Sequence, residues 1–189
     1  MSHPLRSRQR ARVRQDIQSA AWRLFSELGF GSVTTKQIAE AAGVSESTYF
    51  RHVNSKDDLL LYPLEASSAA IVTAFAAQPT GISATRALAD AIVERTEASP
   101  DVELELWRTA LASAPDLVDR ITLIRHEDAR ELVLLAADRM GSSPDSLEPG
   151  VRVHSVLSAA AYAYRRWFDG DARELKTLIR AATDLVVGP

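Results

Sequence analysis

The chain has 189 residues, 46% apolar and 25% charged, a globular balance that excludes a disordered or fibrous protein. It has no cysteine, which excludes disulfides and thiolate metal sites and suits a reducing compartment. Its net charge of −3 hides an asymmetry: residues 1–56 carry nine basic and four acidic side chains, residues 57–189 thirteen and twenty-one. A basic head on an acidic body suits a head that meets a polyanion, although a solvated arginine-rich tail would give the same pattern.

Helical periodicity runs through nearly the whole chain, and strands are hard to find. Ile17, Ala20, Ala21, Leu24, Phe25 and Leu28 form one apolar stripe, and Gly29 ends that helix with Phe30 placed to pack on Phe25 in a Schellman cap. Thr34 and Gln37 make a capping box for a short helix over 35–42, with Ile38, Ala39 and Ala42 turned inward. Gly43 breaks it, and Ser45 caps another short helix over 46–52. Ser55 with Asp58 opens a long helix over 56–77. Pro63 lies inside it, lacks a backbone donor and predicts a kink or break near 59–63.

Five further helices follow. They cover 83–98, 100–112 with Ser99 as cap, 116–140 closed by Gly141, 149–168, and 171–187 with Asp171 and Glu174 as a capping pair. The reading is an all-α protein of nine helices: a three-helix DNA-binding domain over residues 1–55 and a larger six-helix domain over 56–189. No apolar h-region follows the N-terminal arginines, and no apolar run approaches the roughly 20 residues of a membrane span. A cytoplasmic protein without a membrane partner is expected.

Two short helices around Gly43 are marginal alone and must be held by their neighbours. Helix-turn-helix geometry uses this arrangement, the first helix supporting a second that enters a major groove about 12 Å wide. The second helix is polar on its leading turn (Ser45, Glu46, Ser47, Thr48) and apolar behind (Tyr49 or Phe50, and Val53), as a groove-reading helix requires. An αα-corner in an ordinary bundle is the plainer alternative.

The run Thr34-Thr35-Lys36-Gln37-Ile38-Ala39-Glu40-Ala41-Ala42-Gly43-Val44-Ser45-Glu46-Ser47-Thr48-Tyr49-Phe50-Arg51-His52-Val53-Asn54-Ser55-Lys56-Asp57-Asp58-Leu59 closely resembles the DNA-binding signature of the TetR family. Residues 21–30 resemble that family's first helix. The resemblance is specific over about 17–60; beyond it only helix count and order agree. It implies that Thr34 and Thr35 donate to phosphate and that Lys36 reaches phosphate or a base edge. Ser45, Glu46, Ser47 and Tyr49 would then face the groove while Thr48, His52 and Lys56 clamp the backbone. Where the family often has a phosphate-contacting tyrosine this chain has Phe50, read here as core, with Tyr49 or His52 supplying the contact. Glu46 has two readings: stabilisation of its own helix N-terminus, or acceptance from a cytosine amino group. Arg6, Arg8, Arg10, Arg12 and Arg14 form an arm that reaches a minor groove or stays a mobile, salt-sensitive tail.

Wide apolar faces mark the last two helices: Val153, Val156, Leu157, Ala160, Ala161, Tyr164 and Phe168 on one, Leu175, Leu178, Ile179, Ala182, Leu185 and Val186 on the other. The resemblance implies that they pair with a partner's in a homodimer, which would set two reading heads on the half-sites of a palindromic double-stranded operator. The middle helices are where the family holds small effectors. Leu104, Trp107, Leu111, Leu117, Ile121, Ile124, Leu132, Tyr162 and Trp167 are the candidate lining, though such stripes are usually core. Trp107-Arg108 and the cluster Arg165-Arg166-Trp167-Phe168 combine aromatic surface with cations and suit an apolar, acidic or acylated effector, or a plain ion-paired surface.

The histidines lack metal-site spacing, and no phosphate loop or nucleophile elbow occurs. No metal, cofactor or enzymatic activity is expected. The reading is a ligand-responsive transcriptional regulator, most simply a repressor, with the long helix as lever and Pro63 as hinge. The alternative is a helical small-molecule-binding protein whose DNA head is vestigial.

Overall fold

The computed structural model describes residues 3–118 and 121–187, with side chains from residue 8 onward. Among them are ten α-helices and no strand: α1 (His3–Leu28), α2 (Thr35–Ala41), α3 (Glu46–His52), α4 (Asp58–Ala77), α5 (Ala84–Glu97), α6 (Asp101–Ala112), α7 (Pro115–Val118), α8 (His126–Met140), α9 (Leu147–Phe168) and α10 (Leu175–Val187). A 3-10 turn, Phe30–Ser32, joins α1 to α2.

The chain divides into two compact units, Met1–Pro63 with Asp101–Ile121, and Leu64–Pro100 with Thr122–Pro189. This partition is one of packing, whereas the expected boundary near Ser55 is one of function. It assigns α6 and α7 to the same unit as the helix-turn-helix and falls inside α4, at Pro63.

In the first unit α1 packs against α2, α3 and α6 through Ile17, Ala20, Ala21 and Phe25, all at most 1% exposed. It ends at the expected Gly29 (φ +82°) with the Phe30 ring edge-on to Phe25 at 5.0 Å, but not in the expected Schellman cap: the Gly29 N–H donates to the Phe25 carbonyl at 3.0 Å and the Phe30 N–H to Ser113 Oγ at 3.1 Å.

α4 runs through Pro63 without a break, contrary to one of the two expected outcomes. Proline leaves the Leu59 carbonyl without its helical donor. The Trp22 indole N–H fills that place at 2.9 Å and the Gln18 amide approaches at 3.3 Å. The expectation that no segment approaches a membrane span also needs correction, because α4 is long and apolar enough by length and composition (20 residues, mean hydropathy 1.5). Its apolar side chains Leu59, Leu60, Leu64, Ile71, Val72 and Phe75 are instead buried in the protein.

The second unit holds α5, α8, α9, α10 and the rest of α4. The expected single helix over 116–140 is two, α7 in the first unit and α8 in the second, with residues 119–120 outside the described set. Arg125 is extended (φ −65°, ψ 150°); its backbone N–H donates to Ser68 Oγ at 3.0 Å and its Nε to Asp128 Oδ2 at 2.9 Å. Asp128 also accepts from Ser68, so a buried polar knot starts α8 where no conventional cap stands in the sequence. α10 likewise starts at Leu175 rather than 171. Asp171 binds Arg166 at 3.0 Å and Arg173 at 2.7 Å, holding the turn after α9.

Candidate nucleic-acid interface and effector cavity

Local chemistry builds the two short helices. The Thr34 hydroxyl accepts from the Gln37 N–H at 3.2 Å and donates to Gln37 Oε1 at 2.9 Å, which also accepts from the Thr34 N–H at 2.9 Å. Gly43, at φ +67°, makes the turn; the Val44 N–H donates to the Ala39 carbonyl at 2.9 Å, and a residue with Cβ would be strained there. Ser45 Oγ accepts from the Thr48 N–H at 3.1 Å and donates to Thr48 Oγ1 at 3.0 Å. The Thr34 and Ser45 hydroxyl protons are therefore occupied within the fold. Thr48 accepts from Ser45 and from Arg51 at 3.3 Å, which leaves its own proton to donate.

α3 has a sharply divided surface. Tyr49 and Val53 are 1% exposed, whereas Phe50 is 57% exposed and Glu46, Ser47 and Arg51 are open to solvent. The expected roles of the two adjacent aromatics are thus reversed: Tyr49 is the core residue and Phe50 the outward one. Tyr49 cannot reach a groove. Its hydroxyl is buried without a hydrogen-bond partner among the described residues, and burial, helped by nearby Asp58, pushes its pKa up to about 12.

Two expected backbone clamps are also placed differently. Lys56 Nζ donates to the carbonyls of Phe30 at 2.6 Å and Val33 at 3.0 Å and lies 4.2 Å from the Phe30 ring centroid; it ties the turn before α2 rather than facing outward. His52 is part-buried, and its pKa is lowered by desolvation and then by Arg51, Arg10 and Arg14, so it is neutral near pH 7. Lys36 remains exposed, Thr35 is half-buried, and Glu46 and Ser47 keep their outward positions.

The basic arm is helical from His3, as the first part of α1. Arg8, Arg10 and Arg12 are exposed; Arg14 donates to the His52 carbonyl at 2.5 Å and stacks 3.6 Å over the Tyr62 ring. The side chain of Arg6 lies outside the described residues. Sequence reasoning missed Arg51 and Phe50 as outward residues. They stand four and three positions after Ser47, so helical phase was the available signal.

The expected effector-lining residues are divided between the two units. Leu104, Trp107, Leu111, Leu117 and Ile121 belong to the first unit, and Ile124, Leu132, Tyr162 and Trp167 to the second. Trp107 is 3% exposed and donates to the Leu60 carbonyl at 2.9 Å. Leu132 and Trp167 are core, and Tyr162 is 61% exposed. The second unit has a cavity of its own, lined by Leu64, Ser67, Ile71, Ile92, Leu123, Ile124, Leu157, Ala160 and Tyr164, with a water-accessible volume of about 20 Å³. That is room for about one water molecule, and Ile124 alone comes from the expected set. Burial raises the Tyr164 pKa, opposed by a hydrogen bond with Thr96.

α9 and α10 turn one face inward (Val153, Val156, Ala160, Ala163; Leu175, Leu178, Ile179) and leave another open. The open face is a shallow trough of Val151, Ser155, Ser158, Ala159, Tyr162, Ala182, Leu185 and Val186.

Known proteins share this arrangement. A family model described as bacterial regulatory proteins, tetR family, matches residues 17–62, and the MftR C-terminal domain matches residues 82–189. The HTH-type transcriptional regulator TcmR of Streptomyces glaucescens is 29% identical over 95% of this chain and 85% of its own length. Among solved structures, NalD, the secondary repressor of the MexAB-OprM multidrug efflux pump in Pseudomonas aeruginosa, aligns with TM-score 0.57 and 17% identity, covering 93% of this chain and 94% of its own. The TetR family transcriptional regulator PfmR from Thermus thermophilus aligns with TM-score 0.55 and 18% identity over 90% and 96%. At these identities the two structures speak for the fold.

Proposed function

The chain belongs to the TetR family of bacterial regulatory proteins, ligand-responsive DNA-binding regulators of transcription rather than enzymes, and we propose that it is a repressor that grips a palindromic operator as a homodimer and lets go on binding a small effector. The observation that carries the DNA-facing part is the divided surface of α3, with Tyr49 and Val53 buried behind and Glu46, Ser47, Phe50 and Arg51 outward. A helix held by its back alone leaves its leading turn for a groove. Lys36, Thr35, Thr48 and the exposed arginines of α1 are the phosphate partners in this reading, while Thr34, Ser45 and Lys56 hold the fold that presents them.

The dimer seam is assigned to the open trough of α9 and α10, whose small residues permit close helix approach. The effector is assigned to the cavity of the second unit: apolar walls with Ser67 among them suit a small apolar or acylated molecule. Because the cavity is almost closed, such a molecule binds a more open member of the ensemble, and that preference is the source of regulation. α4 passes from one unit to the other at Pro63 and is the lever in this account. The protein works in the cytoplasm, where its operator is. Footprinting on duplexes enriched by the full-length chain tests the reading: protection of two symmetric half-sites supports it, and a single unrepeated footprint contradicts it.

A further inference from the structure

Phe50 lies in the middle of α3 and is 57% exposed, on the same face as Glu46 (four residues before) and Ser47 (three before). Its ring is not adrift: it stands edge-to-face on the buried Tyr49 at 5.2 Å and 88°, which fixes an apolar surface on an otherwise polar, outward turn. A phenyl ring has no donor or acceptor, so it can neither bond a phosphate nor read a base edge by hydrogen bonding. The apolar group that a major groove offers is the C5 methyl of thymine.

We infer that Phe50 is a specificity residue that selects thymine at one position in each half-site by packing its ring on the base's methyl group. This rests on α3 being the reading helix and adds to it the identity of one base. It also accounts for a large apolar side chain left in water on the helix that meets DNA: its burial is completed by the operator.

Replacing thymine by uracil deletes that methyl and leaves the hydrogen-bonding edge intact, so it isolates the contact. The full-length chain first enriches duplexes from a randomised pool. The enriched duplex is then made with each thymine pair in turn replaced by deoxyuridine and titrated with wild type, Phe50→Ala and Phe50→Leu. One symmetric position is expected where uracil weakens wild-type binding about fourfold per half-site, the value of one buried methyl. Phe50→Leu should keep most of this sensitivity, and Phe50→Ala should bind thymine and uracil duplexes alike there. The inference is overturned if wild type tolerates uracil everywhere, if the enriched half-site lacks thymine, or if Phe50→Ala remains equally sensitive. Failure of α3 to read DNA is a separate result: wild type would then enrich no sequence.

Discussion

Trp107 donates its indole N–H to the Leu60 carbonyl at 2.9 Å, one residue along α4 from the carbonyl that Trp22 holds at the same distance. The two rings lie 6.5 Å apart. Leu59 is the acceptor that Pro63 deprives of its helical partner, so tryptophans from α1 and α6 brace α4 where the chain passes between its two units.

This brace predicts a coupling. Trp22→Phe removes the donor to Leu59 and should cost about 1 kcal/mol in urea unfolding. With Pro63→Ala, residue 63 regains an N–H for the same carbonyl, and the cost of Trp22→Phe should shrink by about 0.5 kcal/mol or more. Additive costs would show that the indole is not replacing the proline's missing donor.

The Tyr49 hydroxyl is buried without a protein partner among the described residues. Tyr49→Phe should therefore leave stability unchanged or raise it by up to about 1 kcal/mol, since the hydroxyl's desolvation is not repaid. A loss of more than about 1 kcal/mol would reveal a hydrogen bond that the fold does not show.

Salt dependence should separate cations that look alike in the sequence. Lys36→Ala should lower the slope of log affinity against log salt by about one, as for one lost phosphate contact. His52→Gln should leave the slope unchanged near pH 7, because desolvation and the surrounding arginines keep His52 neutral. Lys56→Met should instead destabilise the first unit by about 1–2 kcal/mol, through the lost bonds to Phe30 and Val33.

In acid, the second unit should fail first at its carboxylates. Asp128 is held below its ordinary pKa by Arg125, with burial opposing and Ser68 assisting; Asp171 is held well below by Arg173 and Arg166, burial again opposing. A depressed folded pKa means that the unfolded chain binds the proton more tightly. Their stabilisation is thus complete above the unfolded value of about 4 and drains away as pH falls through the folded values. Urea midpoints should hold from pH 7 to about 5 and drop below about pH 4, less steeply in Asp128→Asn. A wild-type midpoint flat to pH 3 would contradict this.

What the sequence disclosed was mostly local. The Thr34–Gln37 box, the Ser45 cap and the packing of Phe30 on Phe25 each join residues within five positions, and each stands where read; the Schellman form of the Gly29 turn does not, because the Phe30 N–H bonds Ser113, 83 residues away. Tyr49 and Phe50 exchange roles because neighbours on a helix point about 100° apart, and only the phase set by Ser47, three residues before Phe50, separates them. Lys56 and Arg125 were opaque for a different reason. The carbonyls that Lys56 ties lie 23 and 26 residues away and the Ser68 hydroxyl that takes the Arg125 backbone N–H lies 57 away, and nothing in a one-dimensional pattern distinguishes a lysine tying two carbonyls from one awaiting a phosphate. Of the expected effector lining, Tyr162 stands 61% exposed, because an apolar stripe on a helix does not say which of its edges the fold covers.

The most direct measurement is the affinity of Ser47→Asp for a duplex enriched by the wild-type chain, with thermal midpoint and dimer mass followed in parallel. Ser47 is exposed on the leading turn of α3, so the added carboxylate should spare fold and assembly while meeting the DNA's own charge. Binding should weaken by about a hundredfold or more, since opposed like charges cost several kcal/mol. Undiminished affinity in a folded, dimeric variant would show that this face of α3 does not meet DNA.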